Sequence, residues 1–176
     1  MAAIDAAVCH RVNRACGVAS IRLGFALISW LGNGKFWYLL MLLLPVLFGL
    51  PGLEASIHMA LSGVIGVGLY KGIKHLTHRP RPYMQHRNIV LGAAPLDQFS
   101  FPSGHTLHAV MFTLIVVEAF PLLGWFLVPF TLLIALSRVV LGLHYPTDVI
   151  LGALIGTLLA ILVPAVPVAA LLAPGA

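Results

Sequence analysis

Residues 36–50 read FWYLLMLLLPVLFGL, a run that contains no charged side chain. Its first three residues are aromatic, as is typical of a helix that begins at a membrane–water interface. The rest of the chain has the same character, because 60% of its 176 residues are hydrophobic and 9% are charged, whereas soluble domains carry roughly 25% charged residues. We therefore predict an integral membrane protein of one domain.

Four further apolar segments of helical length follow this run. A turn is predicted at Pro51 and Gly52, and the segments lie at residues 53–78, 103–120, 122–143 and 146–172. Most of them approach the roughly 20 residues that a membrane-spanning helix needs. The predicted fold is therefore all-α, a polytopic bundle of five transmembrane helices, or six if residues 18–31 also cross.

The N-terminal region before residue 34 is predicted to lie at the membrane interface, and the transmembrane core to cover the rest of the chain to residue 176. Residues 3–16 can form a short amphipathic helix with Arg11 and Arg14 on its polar side, which favours the membrane surface. Residues 18–31 are apolar but only about 14 residues long and contain an arginine, which favours an interfacial or re-entrant helix.

Cys9 and Cys16 lie in this N-terminal region. On one helix their Cα atoms would be roughly 10 Å apart, at ~1.5 Å per residue, which is too far for a disulfide. His10 next to Cys9 raises the alternative of a metal site. The favoured prediction is that both cysteines are small apolar packing residues.

One long loop, residues 79–104, separates the second and third predicted helices and is rich in proline, glycine and polar groups. Long loops in compact proteins are often functional. If the helices alternate in direction, four helix ends emerge on one membrane face. These are the end of the second helix, the start of the third, the end of the fourth and the start of the fifth. The three polar clusters of the chain occur at these four ends.

The first polar cluster is KHLTHRPRP, residues 74–82. Prolines disfavour helix in the residues before them, so the helix is predicted to end near His78, with Arg81 on an extended arm. Lys74 offers a point charge and Arg81 a planar bidentate donor, a pair suited to phosphate. The alternative is that both side chains only reach out to the interface, as lysine and arginine commonly do.

The second cluster is FPSGHT, residues 101–106. Ser103 is a natural N-cap, and Gly104 allows a ligand to approach the backbone closely. Because the free N–H groups of a helix N-terminus bind anions, His105 would lie beside an anion held there. The alternative is an ordinary capped helix with an interfacial histidine.

The third cluster is SRVVLGLHYPTD, residues 137–148. Arg138 lies in a segment that is otherwise typical of a membrane-buried helix, so it requires an anionic partner. Pro146 fits the first position of the next helix, and Asp148 at the third position can turn back toward His144. A carboxylate bonded to one ring nitrogen fixes the tautomer and leaves the other nitrogen free to attack. Alternatively, the pair is a structural bond at a helix end.

Together the clusters indicate a phosphate site. Three cations can bind an anion, a serine and a glycine supply donors at a helix start, and two histidines and an aspartate can supply a nucleophile and an acid. The net charge of +5 favours an anionic partner, either a lipid headgroup or phosphate. Binding to nucleic acid is not predicted, because there is no soluble basic domain.

These motifs are K-x6-R-P at residues 74–82, P-S-G-H at 102–105 and S-R-x5-H-x3-D at 137–148. Their order and spacing resemble the type 2 phosphatidic acid phosphatase (PAP2) family, whose signature also occurs in vanadium haloperoxidases and bacterial acid phosphatases. The resemblance implies a membrane phosphatase domain that needs no metal ion or other cofactor.

The resemblance also implies a role for each residue of the signature. His144 attacks phosphorus and becomes a phosphohistidine, with Asp148 holding it. His105 protonates the leaving oxygen and then activates water. The remaining signature residues stabilise the charged phosphoryl group, and they are Lys74, Arg81, Ser103, Gly104 and Arg138.

For the substrate, the resemblance implies a membrane lipid with a terminal phosphate or diphosphate. The small size is similar to compact bacterial members, so undecaprenyl diphosphate is the first choice. Phosphatidylglycerol phosphate, phosphatidic acid and lipid A 1-phosphate follow. Two alternatives remain, a lipid phosphotransferase that uses the same residues and a non-enzymatic transporter of anions or lipids that uses the basic face.

Other residues near this face are candidates for secondary roles. His108, one helical turn after His105, could contact the substrate or tune that histidine, and Arg79, Gln85 and Arg87 could bind a headgroup or a second phosphate. The positive-inside rule alone would put the basic face in the cytoplasm, but most of these charges belong to the site. The resemblance instead implies a bacterial inner membrane with the site on the periplasmic face, and it implies no particular oligomeric state.

Overall fold

The computed structural model describes residues 2–164, and this part of the chain contains no β-strand. The end of the predicted fifth segment, residues 165–172, lies outside the described residues. Short 3-10 helices occur at Arg14–Gly17 and Pro121–Leu123. The α-helices, in chain order, are α1 (Ala2–Asn13), α2 (Ala19–Gly32), α3 (Lys35–Thr77), α4 (Pro82–Gln85), α5 (Gly104–Ala119), α6 (Gly124–Val140) and α7 (Pro146–Leu162).

Helix α3 folds back on itself. Gly49 interrupts it with a φ of 62°, a conformation that glycine adopts without strain. Beyond this break, the Ser56 hydroxyl donates a hydrogen bond to the Met41 carbonyl at 2.8 Å, and a Cβ on Gly52 would lie 2.0 Å from the Leu44 carbonyl oxygen. Residues so far apart in sequence cannot meet along one straight helix, so α3 consists of two antiparallel arms. These arms correspond to the first two predicted segments.

Helix α5 is the centre of the bundle and packs against α3, α6 and α7. Its contact with α7 is close because α7 presents glycines there. A Cβ on Gly152 would lie 2.6 Å from the Ser103 carbonyl oxygen, and one on Gly156 would lie 2.4 Å from that of Leu107. Small residues at helix interfaces allow this approach in membrane proteins. The start of α7 is thereby held beside the start of α5.

The outer surface of the bundle is apolar. Large side chains such as Val46, Leu50, Leu122 and Trp125 are exposed, as expected of residues that face lipid. By length and composition, Lys35–Thr77 and Pro121–Val140 can cross a membrane, and a third stretch can if the bent pair α1 and α2 is one span. The all-helical, membrane-type fold predicted from the sequence is thus confirmed, while the number of five or six spans stays a prediction.

Helices α1 and α2 meet at an angle of 110°, and α1 packs against the ends of α6 and α7. Asn13 at the end of α1 is buried and fixes this position. Its Nδ2 donates to the carbonyls of Val90 at 2.9 Å and Val140 at 2.8 Å, and its Oδ1 accepts the Val90 N–H at 2.7 Å. Helix α1 is therefore anchored to the long loop and to the end of α6.

The two cysteines behave as predicted. Cys9 and Cys16 are free thiols with no exposed surface, and each packs in a small apolar cluster at this end of the bundle. Arg11 in α1 and Arg14 in the 3-10 helix that follows it are both exposed, as expected for the polar side of the N-terminal segment.

The long loop between α3 and α5 contains the short helix α4, which the sequence pattern did not predict. The two ends of the loop are held together where the Ser100 N–H donates to the Arg79 carbonyl at 2.8 Å. Pro80 and Phe99 form an isolated antiparallel bridge beside this bond. As a result, the second half of the loop lies over the ends of the helices that carry the polar clusters.

Candidate active site

A cavity of about 180 Å³ opens among the ends of α3, α5 and α6. All three polar clusters contribute to its lining, although they are far apart in sequence. The predicted site residues that line it are Lys74, Arg81, Gly104, His105, His108, Arg138 and His144.

His144 lies in the short connection between α6 and α7, where the His144 N–H donates to the Arg138 carbonyl at 3.0 Å. Its ring nitrogens face different surroundings. Nε2 lies 3.2 Å from Nη1 of Arg81 on the cavity side, and Nδ1 lies 3.6 Å from Oδ2 of Asp148. The second distance is too long for a hydrogen bond. Hydrogen bonds of catalytic groups often tighten only when substrate binds, so this arrangement is suited to a nucleophile oriented from behind.

The surroundings of His144 favour the neutral form of its ring. Burial, followed by the positive charges of Arg138 and Arg81, lowers the pKa of His144 well below its ordinary value. A neutral imidazole with a lone pair at Nε2 can attack an electrophile, whereas the imidazolium cannot.

Asp148 lies in the first turn of α7, which begins with Pro146 as predicted. Its carboxylate is fully buried. Oδ2, the oxygen that faces His144, accepts the Tyr145 N–H at 2.8 Å. Oδ1 accepts a hydrogen bond from Nη1 of Arg79 at 2.5 Å. Both oxygens are thus held, and the carboxylate cannot rotate away from the histidine.

Ser103 and His105 belong to the start of α5. The Ser103 hydroxyl caps the helix, since it accepts the Thr106 N–H at 3.4 Å. The Ser103 N–H donates to the Asp148 carbonyl at 3.0 Å, which ties the start of α5 to that of α7. The first N–H groups of a helix have no partner within it, so this end of α5 can donate to an anion in the cavity.

Asp97 bridges the two cations of the first cluster. Nζ of Lys74 donates to its carboxylate oxygens at 2.8 and 2.7 Å, and Nη2 of Arg81 donates to Oδ1 at 2.7 Å. Although burial alone would raise the pKa of Asp97, its hydrogen bonds and charge interactions with Lys74 and then Arg81 hold it below the ordinary value. An ionised carboxylate therefore occupies the position that was predicted to hold phosphate.

Sequence reasoning did not assign this role to Asp97. A signal was available, because buried cations require a compensating anion and Asp97 is the only acidic residue in the long loop. Its contact with the first cluster, however, depends on how the loop folds back over the cavity.

Arg138 is buried in the last turn of α6. Its Nη1 donates to the hydroxyl of Ser29 in α2, and its Nε has no hydrogen-bond partner among residues 2–164. Within the same residues no carboxylate forms an ion pair with it. A buried guanidinium that points at a polar cavity without a carboxylate partner is suited to bind an anion there.

The candidates for secondary roles differ in position. His108 lines the cavity, and its Nδ1 lies 2.8 Å from the Gly104 carbonyl. Arg79 does not line the cavity but pairs with Asp148 from behind. Arg87 and Gln85 line a separate hollow beside α1. The structure therefore brings only His108 of these residues to the cavity.

Comparisons with known proteins agree with the motifs. The profile of the PAP2 superfamily matches residues 37–171. Undecaprenyl-diphosphatase BcrC of Bacillus subtilis is 34% identical over 119 residues, which are 67% of this chain and 61% of that protein. Decaprenylphosphoryl-5-phosphoribose phosphatase of Mycobacterium tuberculosis is 38% identical over 95 residues, 53% of this chain and 51% of that one. The chain thus matches between half and two thirds of the length of these relatives.

Two solved structures have similar folds. Aquifex aeolicus LpxE has a TM-score of 0.73 at 25% identity and covers 89% of this chain and 92% of its own. The PAP2 type phosphatidylglycerolphosphate phosphatase of Bacillus subtilis has a TM-score of 0.69 at 24% identity and covers 97% of this chain and 88% of its own, a likeness of fold alone. With the family profile spanning most of the chain, including all three motifs, this protein belongs to the PAP2 superfamily.

Proposed function

We propose that this protein hydrolyses a phosphate monoester or diphosphate on a membrane lipid, without a metal ion, through a phosphohistidine intermediate. The observation that carries the proposal is the position of His144, whose Nε2 faces a cavity lined by Lys74, Arg81 and Arg138 and whose Nδ1 faces Asp148. The names of the curated relatives, both phosphatases that act on polyprenyl lipids, support it.

In the first step His144 Nε2 attacks phosphorus. A P–N bond forms while the P–O bond to the lipid breaks, and the leaving oxygen takes a proton from His105. The imidazole becomes positively charged, and Asp148 stabilises it as acceptor of the Nδ1–H. A nucleophile held in place by a neighbouring side chain, here Asp148, is common in covalent catalysis.

The cations and the start of α5 stabilise the phosphoryl oxygens in this step. Substrate oxygens replace the Asp97 carboxylate on Lys74 and Arg81 and fill the free donors of Arg138. Such positioned charges are the main contribution to catalysis of phosphoryl transfer. In the second step His105 takes a proton from water, the oxygen attacks phosphorus, the P–N bond breaks and phosphate leaves.

A second cavity gives a path for the lipid chain. It measures about 490 Å³, is largely apolar and shares Tyr38, Val67 and His108 with the first cavity. Met59 and Phe112 form part of its wall. A phosphate held by the cations would leave its lipid chain in this groove between the arms of α3 and α5. Among lipid phosphates, we propose undecaprenyl diphosphate as substrate, because the named relatives act on polyprenyl lipids.

The proposal includes the orientation of the protein. We propose five transmembrane segments, two of them the arms of α3, in a bacterial inner membrane with the cavity on the periplasmic face. Helices α1 and α2 then belong to that face. Supporting this, α1 packs against the ends of α6 and α7 that carry the catalytic residues.

The test is phosphate release by the purified protein in detergent, with EDTA present, on undecaprenyl diphosphate, phosphatidylglycerol phosphate, phosphatidic acid and lipid A 1-phosphate. We expect release by the wild type, none by His144→Ala and unchanged release by His10→Ala, a histidine outside the cavity. An acid-labile phosphoryl label on the wild type, absent from His144→Ala, would identify the intermediate.

Other outcomes would overturn the proposal. Transfer of the phosphoryl group to an added lipid acceptor in place of water would indicate a phosphotransferase. A His144→Ala variant that retains the wild-type function would indicate a transporter or binding protein, since a carrier does not need the nucleophile.

A further inference from the structure

Behind Asp148, on the side away from the cavity, Arg79 bridges two carboxylates. Its Nη1 donates to Oδ1 of Asp148 at 2.5 Å, and its Nη2 donates to Oδ2 of Asp5 at 2.6 Å. Asp5 belongs to helix α1, which precedes the region that the family profile matches. The N-terminal helix thus reaches the catalytic carboxylate through a single guanidinium.

Asp5 is held as firmly as Arg79. It is buried, and its Oδ1 accepts the N–H of Thr147 at 3.0 Å. The Thr147 hydroxyl lies between the two partners, since it donates to Asp5 Oδ2 at 2.5 Å and accepts from Arg79 Nη1 at 2.8 Å. All four carboxylate oxygens and both terminal nitrogens of Arg79 have a partner, which lowers the cost of burying such groups.

The charges of this network lie behind His144, on the side away from the cavity cations. The charges of Asp148 and Arg79 sum to zero, so the guanidinium weakens the stabilisation that the Asp148 carboxylate gives to a histidine that becomes positive when it binds phosphorus. Asp5 adds a second negative charge and gives the three residues a net charge of −1. The opposite side of the histidine is lined by three cations and one carboxylate, Asp97, so the added negative charge of Asp5 favours the imidazolium.

We propose that Asp5 and Arg79 are positioning residues for the His144–Asp148 pair, so that helix α1 completes the active site. The proposal rests on the proposed phosphatase function. Arg79 fixes Oδ1 of Asp148 and thereby directs Oδ2 at His144, and Asp5 fixes Arg79 while restoring the negative charge that Arg79 would otherwise cancel.

The test compares Asp5→Asn with Asn13→Ala in the full-length protein. Asp5→Asn removes the charge and keeps the shape, whereas Asn13→Ala weakens the docking of the same helix without touching Arg79. For Asp5→Asn we expect kcat to fall roughly 10- to 100-fold, by analogy with the loss found when the hydrogen-bond partners of metal-bound histidines are removed, with KM changed less than about 3-fold. For Asn13→Ala we expect kcat close to that of the wild type.

Binding without turnover gives a second measurement. Inorganic orthovanadate should raise the thermal unfolding temperature of Asp5→Asn as much as that of the wild type, because Lys74, Arg81 and Arg138 are unchanged. A variant that has merely lost its fold would lose this shift as well.

The third measurement compares the double variant with the single variants. Because Asp5 acts through Arg79, the double variant Asp5→Asn/Arg79→Gln should be no slower than Arg79→Gln alone.

Three results would overturn the proposal: a normal kcat in Asp5→Asn, an equal loss in Asn13→Ala, or losses that multiply in the double variant. These three results are interpreted only after wild-type turnover and its loss in His144→Ala have been measured. An inactive wild type would instead refute the proposed function, and this inference with it.

Discussion

Substitution of Asp97 by asparagine should make the protein bind phosphate more tightly. In the structure the Asp97 carboxylate holds Lys74 and Arg81 through three contacts of 2.7 to 2.8 Å. In the proposed function a phosphate group uses the same donors, so it has to displace the carboxylate before it can bind. Asparagine keeps the shape but presents a neutral oxygen to the two cations, and so competes less.

The size of the effect follows from the exposure of the carboxylate. The Asp97 side chain is 38% exposed, so its two ion pairs are partly screened and each contributes up to about 1 kcal/mol. Loss of both charge interactions removes about 1–2 kcal/mol of competition, which corresponds to a factor of roughly 5 to 30 in binding. The inhibition constant of inorganic phosphate or orthovanadate should therefore fall about 5- to 30-fold in Asp97→Asn.

The assay is competitive inhibition of lipid phosphate hydrolysis by orthovanadate at low ionic strength. Glu118→Gln is a matched control, because it removes the same charge from an exposed position in α5 that does not line the cavity. We expect the control to have the wild-type inhibition constant. If Asp97→Asn instead binds orthovanadate as weakly as the wild type or more weakly, the carboxylate does not compete with phosphate, and its contribution is to hold the two cations in position.

Three further predictions follow from the packing and charge of the bundle. Gly152→Val would push its side chain into a backbone carbonyl 2.6 Å from the Cβ position, whereas Gly68 faces open space. In thermal unfolding in detergent we expect Gly152→Val to lose about 1–3 kcal/mol of stability and Gly68→Ala to lose none. Burial and then the neighbouring cations, Arg138 first, lower the pKa of His144. Because the neutral ring is the nucleophile in the proposed function, the acid limb of kcat/KM should lie below pH ~6.5, once it is corrected for the substrate's own ionisation near pH ~6. An acid limb above that value would contradict the proposed role of His144. Ser29→Ala removes a hydrogen bond to the guanidinium of Arg138 and should lower kcat/KM about tenfold or more. An unchanged kcat/KM would show that the guanidinium is held by packing alone.

The helical, membrane-type fold was predictable because a bilayer leaves few choices. Apolar segments of this length have to satisfy their backbone hydrogen bonds internally, so helices follow from composition alone. The positions of the breaks were also predictable, since glycine and proline mark them. The structure breaks α3 at Gly49, slightly before the predicted turn, because Pro51 fits the first turn of the next helical arm better than the bend itself.

The contacts around the candidate site were less predictable. The motifs identify residues such as Lys74 and His144 because spacing along the chain is visible in the sequence. Asp5 and Asp97 carry no such spacing, and their contacts with Arg79 and Lys74 exist only once α1 and the long loop have packed over the bundle. The sequence of α1 was compatible with a membrane surface, and it could not indicate that Asp5 of that helix is buried against Arg79, the partner of Asp148.

In the five-span arrangement that we propose, the shortness of two of the helices has a consequence for the surrounding bilayer. Helix α5 has 16 residues and is therefore roughly 24 Å long at 1.5 Å per residue. The first arm of α3 has about 14 residues and is roughly 21 Å long. The hydrocarbon core of a typical bilayer, by comparison, is roughly 30 Å thick. Such a hydrophobic mismatch is relieved when lipids beside the protein compress, at a cost of fractions of a kcal/mol per Å. Turnover in vesicles should accordingly rise as the acyl chains of the host lipid are shortened, because a thinner membrane no longer has to deform around these two helices.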